Sequence, residues 1–487
     1  YALGMYRKRR NHTTNKEKNA EEEEAMDALV AYNRYRNSEN IVLIAFLSRV
    51  MFIALMFICD AFVSDYDTSS SHSSNKMSGS TLTRDGFCSR MESIAVWDGV
   101  HVLRIAEVGG YEYEHSHAFY PALPFLLRFI IRDSEMTTCV LARTALVLNA
   151  MVSIATVVIM EKLAFILLAN PQKGKTLDVP FAGKCASFSR SAALLYCFTP
   201  AFIFHLAPGY TEAIFTFCAT YGALLFARGS MYEFDGARAT TDWRFVLNKV
   251  TSYVFFALAA SFRSNGILLG IYPACEIISL LLAVKRERKY WFKRLVSLPI
   301  HVIGGLCIAL PTVLVQYNAY LSFCGIDSGY EIGGGGGSAV EAAKSRPWCS
   351  KFPPNVYAFI QSEYWDVGFL QSWRVSQMGN ILIASPALLA SMYCLKMYSF
   401  IRRDRVLVSP VGALAGDILW LISCVLCATV THIQIAMRFM SVLAAPYVAI
   451  ARFGGEESER GKYLLASFVA GYALVGMVLF SNFYPWT

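Results

Sequence analysis

The sequence is short of charge. Only 16% of its 487 residues are Asp, Glu, Lys or Arg, whereas soluble domains carry about 25%. At this length a soluble protein would form about three domains, and so few charges could not cover their surfaces. The 55% hydrophobic content also excludes a disordered chain. The composition therefore predicts a polytopic membrane protein, a single domain whose solvent is mostly lipid.

Patterns that indicate nucleic-acid or metal binding are scarce as well. The net charge is +8, but the basic residues lie in short clusters between apolar segments, as in the cytosolic loops of membrane proteins. Most of the 13 cysteines lie inside apolar runs, which predicts buried small residues. His115 and His117 form a His-x-His pair, a spacing that is not specific for metal. We therefore expect neither nucleic-acid binding nor a metal site.

The chain begins with a polar tail, 1–40, and the first apolar run, 41–63, is long enough to span a bilayer. Arg49 interrupts this run and should face protein or headgroups rather than lipid tails. Further apolar segments follow at 119–132, 139–169, 191–208, 211–228, 250–262, 266–284, 298–316, 379–400, 413–431, 439–452 and 463–482.

Charge decides the predicted topology. Five basic clusters separate these segments, within 173–190, 238–249, 285–294, 402–405 and 452–462, and the positive-inside rule places them in the cytosol with the tail. Two long loops then lie on the opposite side: 64–116, with a serine-rich insert at 68–80, and 317–378, with a glycine-rich insert at 333–337. An odd number of crossings between 117 and 170, one or three, gives 11 or 13 crossings in total.

The first long loop ends in the densest polar stretch, WDGVHVLRIAEVGGYEYEHSHAFYPALP, residues 97–124. Asp98 and His101 have helical i, i+3 spacing and share a face, which predicts an amphipathic helix at the bilayer surface. A carboxylate there, tuned by burial or by a neighbouring histidine, can act as a general base. The alternative is a solvated polar face.

Three turns on the same side of the membrane also carry polar residues at membrane depth. The turns place Glu212 at the start of a segment, Arg263 and Asn265 together, and Gln434 close to Arg438. Arginine suits a phosphate because its guanidinium binds two oxygens at once, although each arginine alone could instead snorkel or cap a helix. Because Asp98 lies on the same side, we expect these residues to converge on one cavity. A transporter would show midplane charges on broken helices and similar halves, and neither is clear here.

These segments resemble the PIG-V family of GPI mannosyltransferases. The 97–124 stretch is similar to the first lumenal loop of that family in Trp97–Asp98, His101, Ile105–Glu107, Tyr113–His115 and Ala118–Pro121, with Tyr120 where the family has Phe. LLYCFTPAFIFHLAPGYTEAIFTF (194–217), FRSNGILLG (262–270), RPWC (346–349), YAFIQSEYWDVGFL (357–370) and QIAMRF (434–439) resemble further family segments in the same order. The match covers about 41–480, and Thr199 and Thr211 replace the Asn and Ser of the family.

The resemblance implies a GT-C-type glycosyltransferase fold, all-α and polytopic, in the endoplasmic reticulum membrane. It implies transfer of mannose from dolichyl-phosphate mannose, in α1,6 linkage, to the first mannose of the GPI precursor at the lumenal face. The catalytic role, as the base that takes the proton of the acceptor hydroxyl, then falls on Asp98, and positive charge for the leaving phosphate on Arg263 and Arg438. No cofactor or metal is required. Candidate substrate-binding residues are Trp97, His101, Glu107, His115, Glu212, Arg263, Asn265, Tyr364, Trp365, Gln434 and Arg438.

The resemblance carries further expectations about partners and covalent structure. Cys324 and Cys349 fall in the second lumenal loop, where an oxidising compartment permits a disulfide; the alternative is two unpaired thiols. A small membrane partner subunit is compatible with the family. Two other functions stay open: another dolichyl-phosphate-mannose transferase with a different acceptor, and a transporter without chemistry.

Overall fold

The computed structural model describes most of the membrane domain. The described residues are 40–64, 66, 91, 94–132, 136–169, 179–231, 243–286, 296–324, 346–403, 411–456, 459–484 and 486. Nearly all of the N-terminal tail and both predicted inserts, 68–80 and 333–337, lie outside these ranges.

The described residues form helices and connecting turns, with no β-strand among them. The helices are α1 Ile41–Phe62, α2 Asp98–Val108, α3 Ala122–Ile131, α4 Thr138–Ala169, α5 Val179–Cys197, α6 Glu212–Met231, α7 Trp243–Phe262, α8 Ile271–Arg286, α9 Leu298–Cys324, α10 Val356–Trp365, α11 Met378–Arg403, α12 Val411–Thr429, α13 Ala436–Ser441, α14 Ala444–Glu456 and α15 Glu459–Ser481. Short 3₁₀ turns cover Glu114–Ala118, Phe202–His205, Ser264–Gly270, Val375–Gln377 and Ile433–Ile435. The predicted all-α class is confirmed for this part of the chain.

Many of these helices are suited to a bilayer. Within the described ranges, eight helical stretches are long and apolar enough to cross a membrane, and a ninth results if the bent pair around 433–454 forms one span. The protein is therefore a multi-pass membrane protein. The predicted total of 11 or 13 crossings stays a prediction.

The stretch between 117 and 170 favours the smaller number. Its described part contains α4, with 32 residues, and α3, with 10. A bilayer crossing takes about 20 residues, so α3 is too short to cross alone. One crossing in this stretch corresponds to a total of 11.

Helix α1 shows how the sequence separates lipid from protein. Its buried residues recur at helical spacing along one face: Ile41, Ala45, Ser48, Arg49, Phe52, Met56 and Cys59. Arg49 is only 2% exposed; its guanidinium donates to Ser153 Oγ at 2.9 Å and to the Cys197 carbonyl at 2.8 Å. As predicted, Arg49 faces protein, where it hydrogen bonds to the last carbonyl of α5.

Two element boundaries differ from the sequence prediction. The apolar segment at 191–208 is divided, because α5 ends at Cys197 and a 3₁₀ turn follows. Pro200 explains the break, since a residue that precedes proline avoids the helical conformation. Helix α9 continues to Cys324 rather than ending at 316. Its 27 residues exceed a bilayer crossing, so its last turns extend into the predicted loop.

A buried ion pair joins α7 to α8 at the end of the bundle that carries the basic clusters. Lys249 Nζ pairs with Glu276 Oε1, and the two side chains are 0% and 1% exposed. Ser230 at the end of α6 accepts from Lys249 at 2.8 Å. The pair therefore connects three helices at the end opposite the turns that carry Glu212 and Arg263.

Replacing Lys249 alone with methionine is expected to destabilise the protein by about 3–5 kcal/mol, because it leaves the Glu276 carboxylate buried without its partner. Replacing both residues with methionine removes both charges and should restore most of the lost stability. Thermal unfolding of the purified variants in detergent measures both effects. A double variant no more stable than Lys249→Met would contradict this account of the pair.

Candidate active site

The position of Asp98 is set by an unusual backbone. Asp98 is the first residue of α2, and Trp97 before it has a φ of 53°, in the left-handed region that favours glycine. A non-glycine residue in such a conformation costs about 1–3 kcal/mol and is concentrated at functional sites. The chain thus enters α2 by a sharp turn that directs the first carboxylate of the helix.

Two glycines let the start of α2 contact the turn before α6. A Cβ on Gly99 would lie 2.4 Å from the Pro208 carbonyl oxygen, and one on Gly209 would lie 2.6 Å from the Gly99 carbonyl oxygen. Gly209 also has a φ of +80°. The two backbones are in direct contact, so the distance between Asp98 and the start of α6 is fixed.

Gly99→Ala is expected to lower the activity of this site strongly, because the new methyl group collides with backbone and must displace α2. Overpacking of this kind costs about 1–3 kcal/mol, which reduces the thermal stability measurably. Gly110→Ala is the matched control, since a Cβ there meets nothing within 4 Å. Equal activity of the two variants would show that the contact does not position Asp98.

Four charged side chains from distant parts of the chain meet at this turn. Arg438 donates from Nη1 to Asp98 Oδ2 at 2.6 Å and from Nε to Glu212 Oε1 at 2.5 Å. Arg263 forms an ion pair with the same Glu212 oxygen. The structure therefore brings together Asp98 and the three charged turn residues that the sequence singled out, with two positive and two negative charges.

The four members of this charge cluster differ in exposure. The side chain of Glu212 is 0% exposed and that of Arg438 is 15%, whereas that of Asp98 is 38%. Within the described part of the chain, Asp98 is paired through its Oδ2 atom alone, and its Oδ1 atom has no partner. Glu212 is thus enclosed between the arginines, whereas the Asp98 side chain is partly exposed.

Aromatic rings and an amide hold the cluster in place. The Arg438 guanidinium lies over the rings of Phe204 and Tyr210, at 5.3 and 5.0 Å from their centroids. The Asn149 side chain in α4 donates to the carbonyls of Ala207 and Tyr210, both at 3.0 Å. Asn149 of α4 therefore fixes the turn between Phe204 and Glu212. The rings of this turn cover one face of the Arg438 guanidinium.

A row of rings leads from Asp98 across the second loop. His101, one turn along α2, stacks on Phe119 with centroids 5.0 Å apart, and Phe119 contacts Trp365 at 6.0 Å. His115 lies 5.7 Å from His101 and 5.5 Å from Tyr364. The row brings four of the predicted binding residues, His101, His115, Tyr364 and Trp365, onto one surface.

Burial keeps the histidines of this row uncharged near neutral pH. It lowers the pKa of the His101 imidazole, which the Asp98 carboxylate opposes and the neighbouring His115 reinforces. Burial also lowers the pKa of His115, against the opposing charge of Glu114. Neutral rings of this kind suit contact with the faces of a sugar better than a charged imidazolium would.

The other predicted binding residues lie farther from the charge cluster or at its edge. Asn265 accepts from Arg263 Nε at 3.2 Å, and Gln434 donates to Asn380 at the start of α11 at 3.1 Å. Glu107, at the far end of α2, pairs with Arg104 at 2.9 Å. Within the described part of the chain, no hydrogen bond or ion pair joins Glu107 to the cluster, and its ionic partner Arg104 lies in α2. Its role in binding stays a prediction.

Glu114, which lies inside the Tyr113–His115 match but is not among the predicted binding residues, connects the two long loops. Its carboxylate accepts from Arg346 Nε at 3.1 Å, from Trp348 Nε1 at 2.8 Å and from Tyr364 OH at 3.3 Å. A lone acidic residue in a polar stretch gives no sequence signal for partners more than 200 positions away. The contacts hold α10 against the loop that carries Asp98.

A disulfide anchors the same region of the second loop. Cys324 at the end of α9 is bonded to Cys349, with Cα atoms 5.7 Å apart. The adjacent Trp348 is 1% exposed and packs in a small core with Phe323, Val356 and Ile360. The second loop is thereby fixed to α9 on one side and to Glu114 on the other.

The described ranges contain no group of three His, Cys, Asp or Glu side chains suited to hold a metal ion. The site itself offers one accessible carboxylate beside two arginines, next to a row of neutral rings. Such a set can accept a proton, hold an anion and contact a sugar. A metal-free reaction stays a prediction.

Residues 38–487 match the family model described as "Mannosyltransferase (PIG-V)". The GPI alpha-1,6-mannosyltransferase 2 of Cricetulus griseus is 33% identical over 315 residues, 60% of this chain and 54% of that protein. The GPI mannosyltransferase 2 of Chaetomium globosum is 29% identical over 408 residues, 80% of this chain and 83% of that protein.

The chain spans about half the length of the first rodent relatives that it matches. Among solved structures, an oligosaccharyltransferase of Archaeoglobus fulgidus is similar, with a TM-score of 0.41 and 12% identity, covering 92% of this chain and 53% of that one.

Proposed function

The chain belongs to the mannosyltransferase (PIG-V) family, and we propose that it transfers mannose from dolichyl-phosphate mannose to the GPI-anchor precursor. The bond formed is the α1,6 linkage to the first mannose of the precursor. The reaction takes place at the lumenal face of the endoplasmic reticulum membrane. It uses no metal or organic cofactor, and a small membrane partner subunit is compatible with it.

The observation that carries this proposal is the charge cluster of Asp98, Glu212, Arg263 and Arg438. Transfer from a lipid phosphate needs a base for the acceptor hydroxyl and positive charge for the leaving phosphate. Asp98 has an exposed, unpaired oxygen, and the arginines lie within ion-pair distance of the two carboxylates. The site thus contains both a base for the acceptor hydroxyl and cations for the leaving phosphate, the two kinds of group that a single displacement needs.

The proposed step inverts the anomeric carbon. The acceptor 6-oxygen forms a bond to C1 of the β-linked mannose, and the bond from C1 to the phosphate oxygen breaks with its electron pair going to the phosphate. The hydroxyl proton moves to Asp98, which becomes neutral. The phosphate gains one negative charge as Asp98 loses one, so the total charge of the site is unchanged.

The contact between Arg438 and Asp98 gives the arginine two roles. Without substrate it neutralises the carboxylate, and its fork also binds Glu212. A donor phosphate competes with Asp98 for Nη1, because a phosphate and a carboxylate accept the same guanidinium geometry. Glu212 is completely buried and stays paired with both arginines when the phosphate binds. We therefore assign Glu212 the role of positioning the arginines rather than of touching substrate.

Complementation of cells that lack the second GPI mannosyltransferase tests the proposal. Expression of the chain should return GPI-anchored proteins to the cell surface. An enzyme with another acceptor fails this test although it is well expressed and correctly localised, as does a transporter. Failure of the well-expressed wild-type chain would overturn the assignment.

A further inference from the structure

Two neutral hydroxyl groups lie at the edge of the charge cluster and have no role so far. Ser264 follows Arg263 directly in the turn after α7, and Tyr357 lies in the first turn of α10, in the second long loop. Their hydroxyl oxygens are 2.8 Å apart. Residues 93 positions apart are thus joined beside the arginine that is expected to meet the donor phosphate.

One O–H group of this hydroxyl pair is not used in the hydrogen bond between the two residues. Ser264 and Tyr357 carry one hydroxyl proton each, and the hydrogen bond between them uses one. Within the described ranges neither hydroxyl makes another hydrogen bond, so one O–H remains for a further acceptor whichever residue donates. A half-buried hydroxyl without an acceptor is unfavourable unless water or a ligand supplies one.

The surroundings favour an anion as that acceptor. The Tyr357 hydroxyl is bonded to Ser264, the residue after Arg263, and so lies beside the cluster; the charges of Arg263, Asp98 and Arg438 all act on it. Burial raises the pKa of the Tyr357 phenol, against the lowering effect of the Ser264 hydrogen bond and the arginines. The phenol is therefore protonated over the whole physiological range and available as a donor.

Tyr357 is also held rigidly. The Asn355 side chain caps α10 by accepting from Ala358 N at 2.9 Å, and Gln316 in α9 accepts from Tyr357 N at 3.4 Å. Its neighbours Val356 and Ile360 are completely buried. A preorganised donor next to developing charge is the arrangement that stabilises a transition state.

We propose that the hydroxyl pair of Ser264 and Tyr357 binds the phosphoryl group of the lipid-linked sugar donor. The inference rests on the proposed function and extends it to these two residues. The free O–H donates to a phosphate oxygen, and this hydrogen bond strengthens as the bond to mannose breaks and charge collects on the phosphate. No covalent bond to the protein forms. The turn after α7, which carries Arg263 and Ser264, and the second long loop, which carries Tyr357, thus bind the same anion.

The test uses Tyr357→Phe, which keeps the ring and removes the hydroxyl. We expect kcat to fall about tenfold to a hundredfold, the usual effect of one hydrogen bond to a charged group. Ser264→Ala should cost less, because Tyr357 keeps its own proton. The double variant should lose less than the product of the two single losses, since both hydroxyls act through one free donor. Tyr393→Phe, at a 63% exposed tyrosine of α11, is the matched control.

Binding of dolichyl phosphate to the purified chain without acceptor gives a second readout, which a merely structural link would not change. The proposal predicts binding weakened in Tyr357→Phe and unchanged in Tyr393→Phe. If the wild-type chain transfers mannose and Tyr357→Phe shows unchanged kcat and unchanged binding of dolichyl phosphate, the phosphate site is wrong. The proposed function would not be affected by that result. A defect confined to the KM of the acceptor would overturn the phosphate site as well. Wild-type chain that binds dolichyl phosphate through Tyr357 but transfers no mannose would instead overturn the proposed function.

Discussion

Asp98→Asn is expected to lower the rate of mannosyl transfer by about 10²- to 10⁴-fold, the usual contribution of a positioned general base. Asparagine has nearly the same shape, and its amide oxygen can still accept from Arg438. It cannot take the proton of the acceptor hydroxyl. Because the Asp98 side chain is 38% exposed, the change should leave the fold and the amount of protein intact. Transfer measured at matched protein levels gives the result.

Asp366→Asn is the matched control for this experiment. Asp366 directly follows α10, has a φ of 50° and pairs with Arg374, so it is another acidic residue in an ion pair on the same side of the predicted membrane. Asparagine tolerates the left-handed conformation. The control should keep full activity. Full transfer in Asp98→Asn would instead show that Asp98 is not the group that takes the proton of the acceptor hydroxyl.

Arg438→Lys has the second largest expected effect. Lysine keeps the positive charge but lacks the planar fork, so one ammonium group must replace two separate donors to Asp98 and Glu212. We expect a loss of about 10²–10³ in kcat, similar to the removal of one preorganised donor at an oxyanion, together with a higher KM for the lipid-linked donor. Steady-state kinetics with purified protein separate the two.

Arg374→Lys controls for the loss of an arginine fork at a place outside the charge cluster. Arg374 pairs with Asp366 at the surface, where its side chain is 49% exposed, and exposed pairs contribute only about 0–1 kcal/mol. Its variant should behave like wild type. Unchanged kinetics in Arg438→Lys would show that this arginine only holds the fold, and the phosphate would then need another cation.

The sequence was sufficient for the features that follow from solvent and charge. Arg49 was expected to face protein, because a charge among lipid tails is costly, and it binds Ser153 and Cys197. The basic clusters placed Asp98 and the turns of Glu212, Arg263 and Arg438 on one side. The structure shows that these turns also meet, which side alone could not predict.

Features that depend on long-range packing were not predictable. Nothing in the sequence indicates that Gly99 and Gly209 bring two backbones into contact, since glycine is common in turns for other reasons. Tyr357, Tyr364 and Trp365 are all aromatic, and only the fold shows that Tyr357 is the one that contacts Ser264. Glu107 was grouped with Asp98 by its closeness in sequence, but it lies at the other end of the same helix and pairs with Arg104.

The anomeric configuration of the transferred mannose tests the central claim most directly. Purified chain is incubated with β-linked dolichyl-phosphate mannose and a GPI precursor that carries one mannose, and the linkage in the product is determined. A single displacement beside Asp98 predicts α-linked mannose on the 6-hydroxyl, with one dolichyl phosphate released for each mannose transferred. A β-linked product, or transfer that survives in Asp98→Asn, would contradict the account.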